Sequence, residues 1–511
     1  MEEKGRLLLL LHCHLPYIRH PEHEHSLEEN WLYEAVTGAY IPLLDVFERL
    51  INDGVRFGVT LSLSPTLLEM LDDPLLKKRC LSFIEGLIEL SDREVIRTKK
   101  DARLISLAKM YRARFKRLRN LYANRYRADL ISPLRALRDE GVIEIISTTA
   151  THAYLPALSM DKGAVRMQID AGISNYTKHF GGKPSGMWLP ECGYYEGLDS
   201  ILKESGIGFF FLEGHGILYG SPRPAYGVFM PVRCPSGVVA FGRHAHSSAL
   251  VWSGEKGYPA DPLYRDFYEG IGCGIKYRRI TGRTGKKKIY ERAIAVRKAK
   301  ADAADYAGKI KDLTAGISRE YNFNPLVVAA FDGELFGHWW FEGPEWLEFL
   351  LRKLAGQRAV RTVTASGCLK GTSGGALQRI SPSMSSWGGG GYGRTWINEK
   401  NDWHIKEAHK AYKIMCELNN AAKNKGAGLQ ALRLRIRNQA VKQLLLAQAS
   451  DWAFMLNEGA SPLYAARRLI MHMSALKRLH DMSTGGGVDE EFLRKLEQDY
   501  PLFPEIGQSP Y

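Results

Sequence analysis

Leu326 to Trp340 reads LVVAAFDGELFGHWW. The apolar run LVVAAF is long enough for one fully buried strand. It breaks at Asp332-Gly333, and Asp332, Glu334, His338, Trp339 and Trp340 follow in close succession. A buried strand that ends in carboxylates, an imidazole and two indoles describes the rim of a barrel or open-sheet site. The bland alternative is a strand followed by a surface loop with scattered polar groups. It is the weaker reading, because large aromatics and several ionisable groups rarely share a loop without a ligand. One carboxylate is not yet chemistry, so the rest of the chain is read for a second.

The same pattern recurs upstream. Arg6 to Leu11 reads as a buried strand and runs directly into HCHLPY. His12 and His14 are two apart, so an extended chain points both to one side. A metal would need a further ligand that the sequence does not identify. Hydrogen bonding to a polar ligand is the favoured reading, against one surface and one core histidine. Val55 to Leu63 is a second strand, and Gly141 to Ser147 a third that places His152 just past its end. Met187 to Pro190 ends in Glu191, Ile207 to Leu212 in Glu213-Gly214-His215, and Val238 to Phe241 in GRHAHSSALVW. With the opening stretch these make seven strand candidates separated mostly by helical text. That order predicts a parallel α/β barrel-like fold with its site at the carboxyl ends of the strands. An open doubly wound sheet would also place a site there, but no GxGxxG follows the first strand, which disfavours a dinucleotide fold.

Residues 26–52 carry a helical pattern capped by Ser26 and stopped by Gly54. From about Asp72 to Asp139 the text is helical and charged, too long for one crossover. It reads as a helical insertion, residues 72–140, within a catalytic barrel of residues 1–380. Residues 381–511 read as a helical C-terminal domain, with helices expected at 402–424, 428–450, 461–481 and 489–499. Between Gly371 and Trp396 lies a glycine- and serine-rich stretch with Trp387, Tyr392 and Trp396 interleaved, and Trp403 follows. A plain linker is one reading. Aromatics spaced by glycine also make flat platforms for sugar rings or bases.

The chain has 511 residues and a formal net charge of +14. The basic residues are scattered, with clusters mainly at Arg97 to Arg127 and Lys286 to Lys288, and no zinc-finger, Walker or RNP pattern accompanies them. A solvated basic surface is expected rather than a nucleic-acid interface. The cysteines at positions 13, 80, 192, 234, 273, 368 and 416 are widely spaced and contain no CxxC pair, which argues against a disulfide framework or cysteine-ligated zinc. Leu7 to Leu11 is too short for a signal segment or membrane span. A cytoplasmic monomer with no membrane partner is expected.

Glu191 and Asp332 are the two carboxylates at strand ends. Glycoside cleavage needs such a pair, retaining configuration when the two are about 5–5.5 Å apart and inverting it when the gap is wider. Aromatic platforms favour a carbohydrate over a phosphate or peptide, and no GxSxG elbow supports a serine nucleophile. Glu213, His215 and Glu334 are weaker helpers.

Five blocks now carry a resemblance: HCHLPY at 12–17, ATHAYLP at 150–156, WLPECGY at 188–194, FDGELFGHWW at 331–340 and SSWGGGGYGRTWINEKNDW at 385–403. In order and spacing they are similar to glycoside hydrolase family 57, and most similar to its branching type. GEKGYPADPLYRDFY at 254–268 and QASDWAFML at 448–456 resemble that type too. The resemblance implies a (β/α)7 barrel and a retaining, cofactor-free double displacement on an α-glucan, without a metal. Glu191 matches the nucleophile and Asp332 the general acid/base. His12, His14 and His152 match histidines lining the subsite of the cleaved sugar. Trp252, Trp387, Trp396 and Trp452 match aromatics of the acceptor and donor subsites. Arg243, His338 and Trp403 complete the substrate-binding candidates, and Tyr219 is the candidate tip of a mobile loop. An amylase-like hydrolase in the same fold is the alternative. The family usually shows Arg-Asp and a Gln before the tryptophan, where this chain has Arg243-His244 and Leu250.

Overall fold

The computed structural model describes residues 4–268, 274–281, 287–370, 377–423, 430–485, 487–504 and 506. Cys273, Lys286 and the first part of the glycine-serine stretch, 371–376, lie outside them.

Nine strands occur among these residues: β1 (Gly5–Cys13), β2 (Val59–Leu63), β3 (Ile143–Ile146), β4 (Gly186–Trp188), β5 (Phe209–Glu213), β6 (Val232–Arg233), β7 (Val239–Arg243), β8 (Leu326–Asp332) and β9 (Val360–Thr362). One parallel sheet runs β3-β2-β1-β8 and a second runs β4-β5-β7. A parallel bridge between Ser147 and Met187 joins β3 to β4. On the opposite side, the His244 amide donates to the Val328 carbonyl at 2.8 Å and Arg243 Nε to the Ala330 carbonyl at 3.3 Å. The seven strands expected from the sequence, β1–β5, β7 and β8, thus form the ring of a (β/α)7 barrel. β6 pairs antiparallel with β7, and β9 pairs with the amino end of β1. Neither was legible in the sequence, since two or three residues show no periodicity.

The apolar runs hide an alternation that the structure reveals. Leu8, Leu10, Trp188, Phe209, Phe211, Val239, Phe241, Leu326, Val328 and Ala330 pack together as the barrel interior. Their neighbours Leu7, Leu9, Leu11, Val327, Ala329 and Phe331 face the surrounding helices. Side chains two apart share a face, so β1 continues inward from Leu8 and Leu10 to His12 and His14. β8 continues from Val328 and Ala330 to Asp332. Register sets the height of these residues: His12 lies opposite Ser62 on one side and Asp332 on the other. A stack of apolar layers therefore supports a polar layer at the carboxyl ends of the strands. Each buried leucine of those layers contributes about 1.5–3 kcal/mol.

The helix after β1 contains a π-helical turn, Val36–Tyr40, between Glu29–Ala35 and Ile41–Asn52. That turn meets the loop after β8. Gly337 has φ +109°, and a Cβ there would lie 2.0 Å from the Gly38 carbonyl oxygen, so only glycine permits the approach. Between β2 and β3 lie the long helices Pro74–Arg97 and Ala102–Arg119 and the shorter Ile131–Asp139. The C-terminal region contains Asp402–Lys423, Gln430–Ala447, Ser450–Glu458, Pro462–Thr484 and Glu490–Asp499. Ser450–Glu458 was not anticipated; the expected helix through residue 450 stops at Ala447 and a new one starts at Ser450.

Candidate active site

Glu191 lies in a short turn directly after β4. Its φ and ψ are +61° and +21°, Cys192 follows with φ +52°, and His152 has φ +57°. A left-handed conformation costs a non-glycine residue roughly 1–2 kcal/mol, and such strain gathers at sites where geometry is over-determined. Here the turn is held from outside. The Trp387 amide donates to the Glu191 carbonyl at 2.8 Å, its indole Nε1 donates to Oε2 at 2.7 Å, and the Ser450 hydroxyl donates to Oε1 at 2.9 Å. Burial pushes the Glu191 carboxyl up to about 8, against the pull of those two donors, and the charges of Asp451 and Asp332 add to the rise.

Asp332 is the inward residue at the end of β8. Burial raises its carboxyl, while the Trp252 indole, donating to Oδ2 at 3.2 Å, and the charges of Arg243 and His14 oppose the rise. Two perturbed carboxyls beside one another titrate as a pair. Burial holds both above the ordinary carboxyl range, Glu191 at about 8. Glu334, the third carboxyl, is pushed up to about 8 by burial and accepts from the Tyr40 hydroxyl and the His14 amide. The π-helical turn is what brings Tyr40 there.

His12, His14 and His152 form a stack, with His14 and His152 ring centres 3.9 Å apart and His12 stacked on Trp188 at 5.0 Å. Their ring nitrogens are all engaged. His12 meets Ser62 at 3.0 Å and His152 at 2.8 Å, His14 meets Ser64 at 2.9 Å and Asp451 at 3.1 Å, and His152 meets Ser450 at 3.0 Å. Burial lowers His12 and His152 well below the usual imidazole range. The imidazole nitrogens anticipated as donors to a ligand are therefore tied to protein partners. Among the described residues no cluster is arranged to hold a metal ion.

The remaining candidates divide. Trp387 touches Glu191, and Trp252, half exposed, touches Asp332. Trp396 stacks on Tyr154 at 5.2 Å beneath Trp387. Arg243 is committed to Glu213 at 2.9 Å, with its guanidinium 5.7 Å from the Trp387 ring. His244 takes over the capping expected of an aspartate: its Nδ1 accepts from the Ser247 amide at 3.3 Å, at the start of Ala245–Trp252. Leu250 packs against the core. Tyr219 is exposed, with the Arg223 guanidinium 5.1 Å over its ring.

Three candidates lie elsewhere. Trp452 is wholly buried, donates to the Leu446 carbonyl at 2.7 Å and packs near Tyr464 and His472 as core. Trp403 packs against the main hydrophobic core. His338 faces a cavity of about 270 Å³ lined also by Tyr111, Arg114, Arg265 and Phe267, and burial lowers it to about 4.

The described part of the glycine-rich stretch is not a free tether. Ser385 pairs with Tyr194, Ser381 with Ser221, and His215 Nε2 bonds the Gly391 carbonyl at 2.8 Å. A Cβ at Gly393 would come 2.3 Å from the Tyr154 hydroxyl. Ser450 and Asp451 escaped the sequence reading of the site. A serine followed by an acid at a helix start was the available signal.

Residues 8–377 match the family model described as glycosyl hydrolase family 57. The chain belongs to that family. Residues 407–511 match a second model, described as the C-terminal part of 1,4-alpha-glucan branching enzyme. This family 57 member is 33% identical to a 1,4-alpha-glucan branching enzyme of Thermococcus kodakarensis, over 99% of this chain and 78% of that one. It is 32% identical to a branching enzyme of Pyrococcus horikoshii whose crystal structure superposes with a TM-score of 0.90, covering 98% and 96% of the two chains. It is 35% identical to an alpha-amylase of Thermotoga maritima, with a TM-score of 0.91 and 99% of each chain covered.

Proposed function

We propose that this family 57 protein is a 1,4-α-glucan branching enzyme, acting by a retaining double displacement with Glu191 as nucleophile and Asp332 as general acid/base. The observation that carries the reading is the pair itself. Two carboxyls raised by burial stand at one barrel mouth, and each is held by an indole N–H. Retaining glycoside cleavage starts from one charged and one protonated carboxyl. A bound glycosidic oxygen accepts a hydrogen bond only from a protonated Asp332, so substrate binding favours a proton there. Glu191, now ionised and served by Trp387 and Ser450, attacks the anomeric carbon while Asp332 protonates the departing oxygen. Asp332 then takes the proton of a glucan 6-hydroxyl, which displaces Glu191 and closes an α-1,6 link. Both the nucleophile and the proton carrier are side chains, so the chemistry draws on no cofactor or metal.

Transfer over hydrolysis requires that an acceptor dock while water is kept out. The half-exposed Trp252 at Asp332 and the exposed Tyr219 and Tyr392 offer ring surface for that acceptor. The match of residues 407–511 to a branching-enzyme segment supports the same reading, because that region delivers Ser450 and Asp451 to the mouth. Residues 1–380 serve as the catalytic barrel, 72–140 as its helical insertion and 381–511 as the C-terminal domain. The protein works on glucan as a cytoplasmic monomer without nucleic-acid or membrane partners; among the described residues no helix is long and apolar enough to cross a membrane. The similarity to an alpha-amylase favours a second reading, a hydrolase with little transfer. Proton NMR of amylose after incubation, with reducing ends counted in the same sample, separates the two. Branching gives new α-1,6 anomeric signal with few new reducing ends. Reducing ends without branches would establish the hydrolase.

A further inference from the structure

Glu191 sits at the end of a chain of hydrogen bonds that starts on the far side of the barrel mouth. Ser62 Oγ lies 3.0 Å from His12 Nδ1, and His12 Nε2 lies 2.8 Å from His152 Nε2. His152 Nδ1 lies 3.0 Å from Ser450 Oγ, which lies 2.9 Å from Glu191 Oε1. A neutral imidazole has one donor and one acceptor nitrogen. Two Nε2 atoms in contact must share one hydrogen, so the two rings are forced into opposite tautomers. Only two directions are then open to the whole chain. In the first, Ser62 donates to His12, His12 to His152, His152 to Ser450 and Ser450 to Glu191. In the second every bond is reversed, and Glu191 must itself be the protonated donor. Because the Trp387 indole can only donate to Oε2, any proton on Glu191 sits on Oε1, so the first direction belongs to the ionised, attacking form of Glu191 and the second to its protonated form.

We propose that Ser450 is a positioning residue for the nucleophile, the last link of a chain from Ser62 through His12 and His152 that presents a hydroxyl donor to Glu191 once it is ionised. The chain orients the carboxylate and favours its charged form. The inference rests on Glu191 being the nucleophile. Ser450 is suited to the task because its backbone is fixed to the barrel: its amide donates to the His152 carbonyl at 3.1 Å, and Ala449 bridges Ala153. The break between Gln430–Ala447 and Ser450–Glu458 is what turns the hydroxyl inward. The titratable groups around Glu191 are Asp332, Asp451, His152, Tyr154 and Cys192. None of them donates to Oε1 in place of Ser450.

The test is the pH profile of Ser450→Ala against Ser450→Thr and wild type, with a maltooligosaccharide carrying an aryl leaving group. Loss of one hydrogen bond to a charged group lowers kcat by about ten- to 100-fold, with KM changed much less. The acidic limb moves up by about one pH unit, and threonine, which keeps the hydroxyl, restores most of both. Ser62→Ala, far from the carboxylate, shifts the limb in the same direction by less. A merely structural serine would leave the limb where it is. In the wild-type protein above the titration of Glu191, histidine ¹⁵N NMR reads the tautomers directly: His12 protonated on Nε2 and His152 on Nδ1. The reversed tautomers, or an unmoved acidic limb in Ser450→Ala, would overturn the inference. Glu191→Gln separates the two levels, because an active Glu191→Gln protein overturns the nucleophile assignment, whereas an inactive one alongside a normal Ser450→Ala profile overturns only the chain.

Discussion

Trp387→Phe removes one hydrogen atom's worth of chemistry from the site. Phenylalanine keeps an aromatic face toward Trp188 and Arg243, whose contacts with Trp387 are 5.0 and 5.7 Å. The Nε1–H that reaches Glu191 Oε2 at 2.7 Å is lost. A hydrogen bond to a charged group is worth about 1.5–3 kcal/mol, which corresponds to about ten- to 150-fold in kcat/KM. Ser450 still serves the other oxygen, so the lower half of that range is expected. The sign of the pH effect follows from the carboxyl. Glu191 already stands at about 8 with both donors in place. Without one it rises further, less carboxylate is present at any given pH, and the acidic limb moves to higher pH. The variant therefore loses most at low pH and recovers as the pH rises. An aryl leaving group isolates the effect, because its departure needs no proton from Asp332. A Trp387→Phe protein within threefold of wild type, with its limb unmoved, would refute the reasoning.

Asp332→Asn should lose natural-substrate turnover, yet still form the glycosyl-enzyme from an aryl donor; added azide should then yield a glycosyl azide of retained configuration, visible by NMR. Glu334→Gln should change the pH dependence of stability. Burial holds the Glu334 carboxyl at about 8 in the folded protein against an ordinary value of about 4.5, so the folded state holds the extra proton and stability falls as pH rises from about 4.5 to about 8. The glutamine variant should lack that fall in urea titrations across the range, and an identical pH slope would remove this role for Glu334. Leu10→Ala opens a hole in the barrel interior, where Leu10 is fully buried, and should cost about 2–5 kcal/mol by chemical denaturation.

Much of the mouth was legible because strand ends announce themselves. Six apolar letters followed by Asp332, and a short apolar run followed by Glu191, place both carboxyls correctly at the barrel rim. The spacing of His12 and His14 put them on one face, as found. What the sequence hid was of two kinds. Elements of two or three residues, β6 and β9, have no periodicity to read. Contacts made across the chain have no local signature: Ser450 is 259 positions from Glu191, and Asp451 is 437 from His14. Tryptophans misled in the other direction. Trp387 and Trp452 look alike as letters, but one indole N–H reaches Glu191 while the other is spent on the Leu446 carbonyl inside a helical core.

The central claim is a covalent one, that a glucosyl group is carried by Glu191. Asp332→Asn, incubated with a maltooligosaccharide bearing an activated leaving group, should accumulate that species. Intact mass followed by peptide mapping should find the added sugar on the peptide WLPECGYY, at Glu191. Sugar attached at another carboxylate, or turnover of the activated donor in Glu191→Gln, would contradict the account.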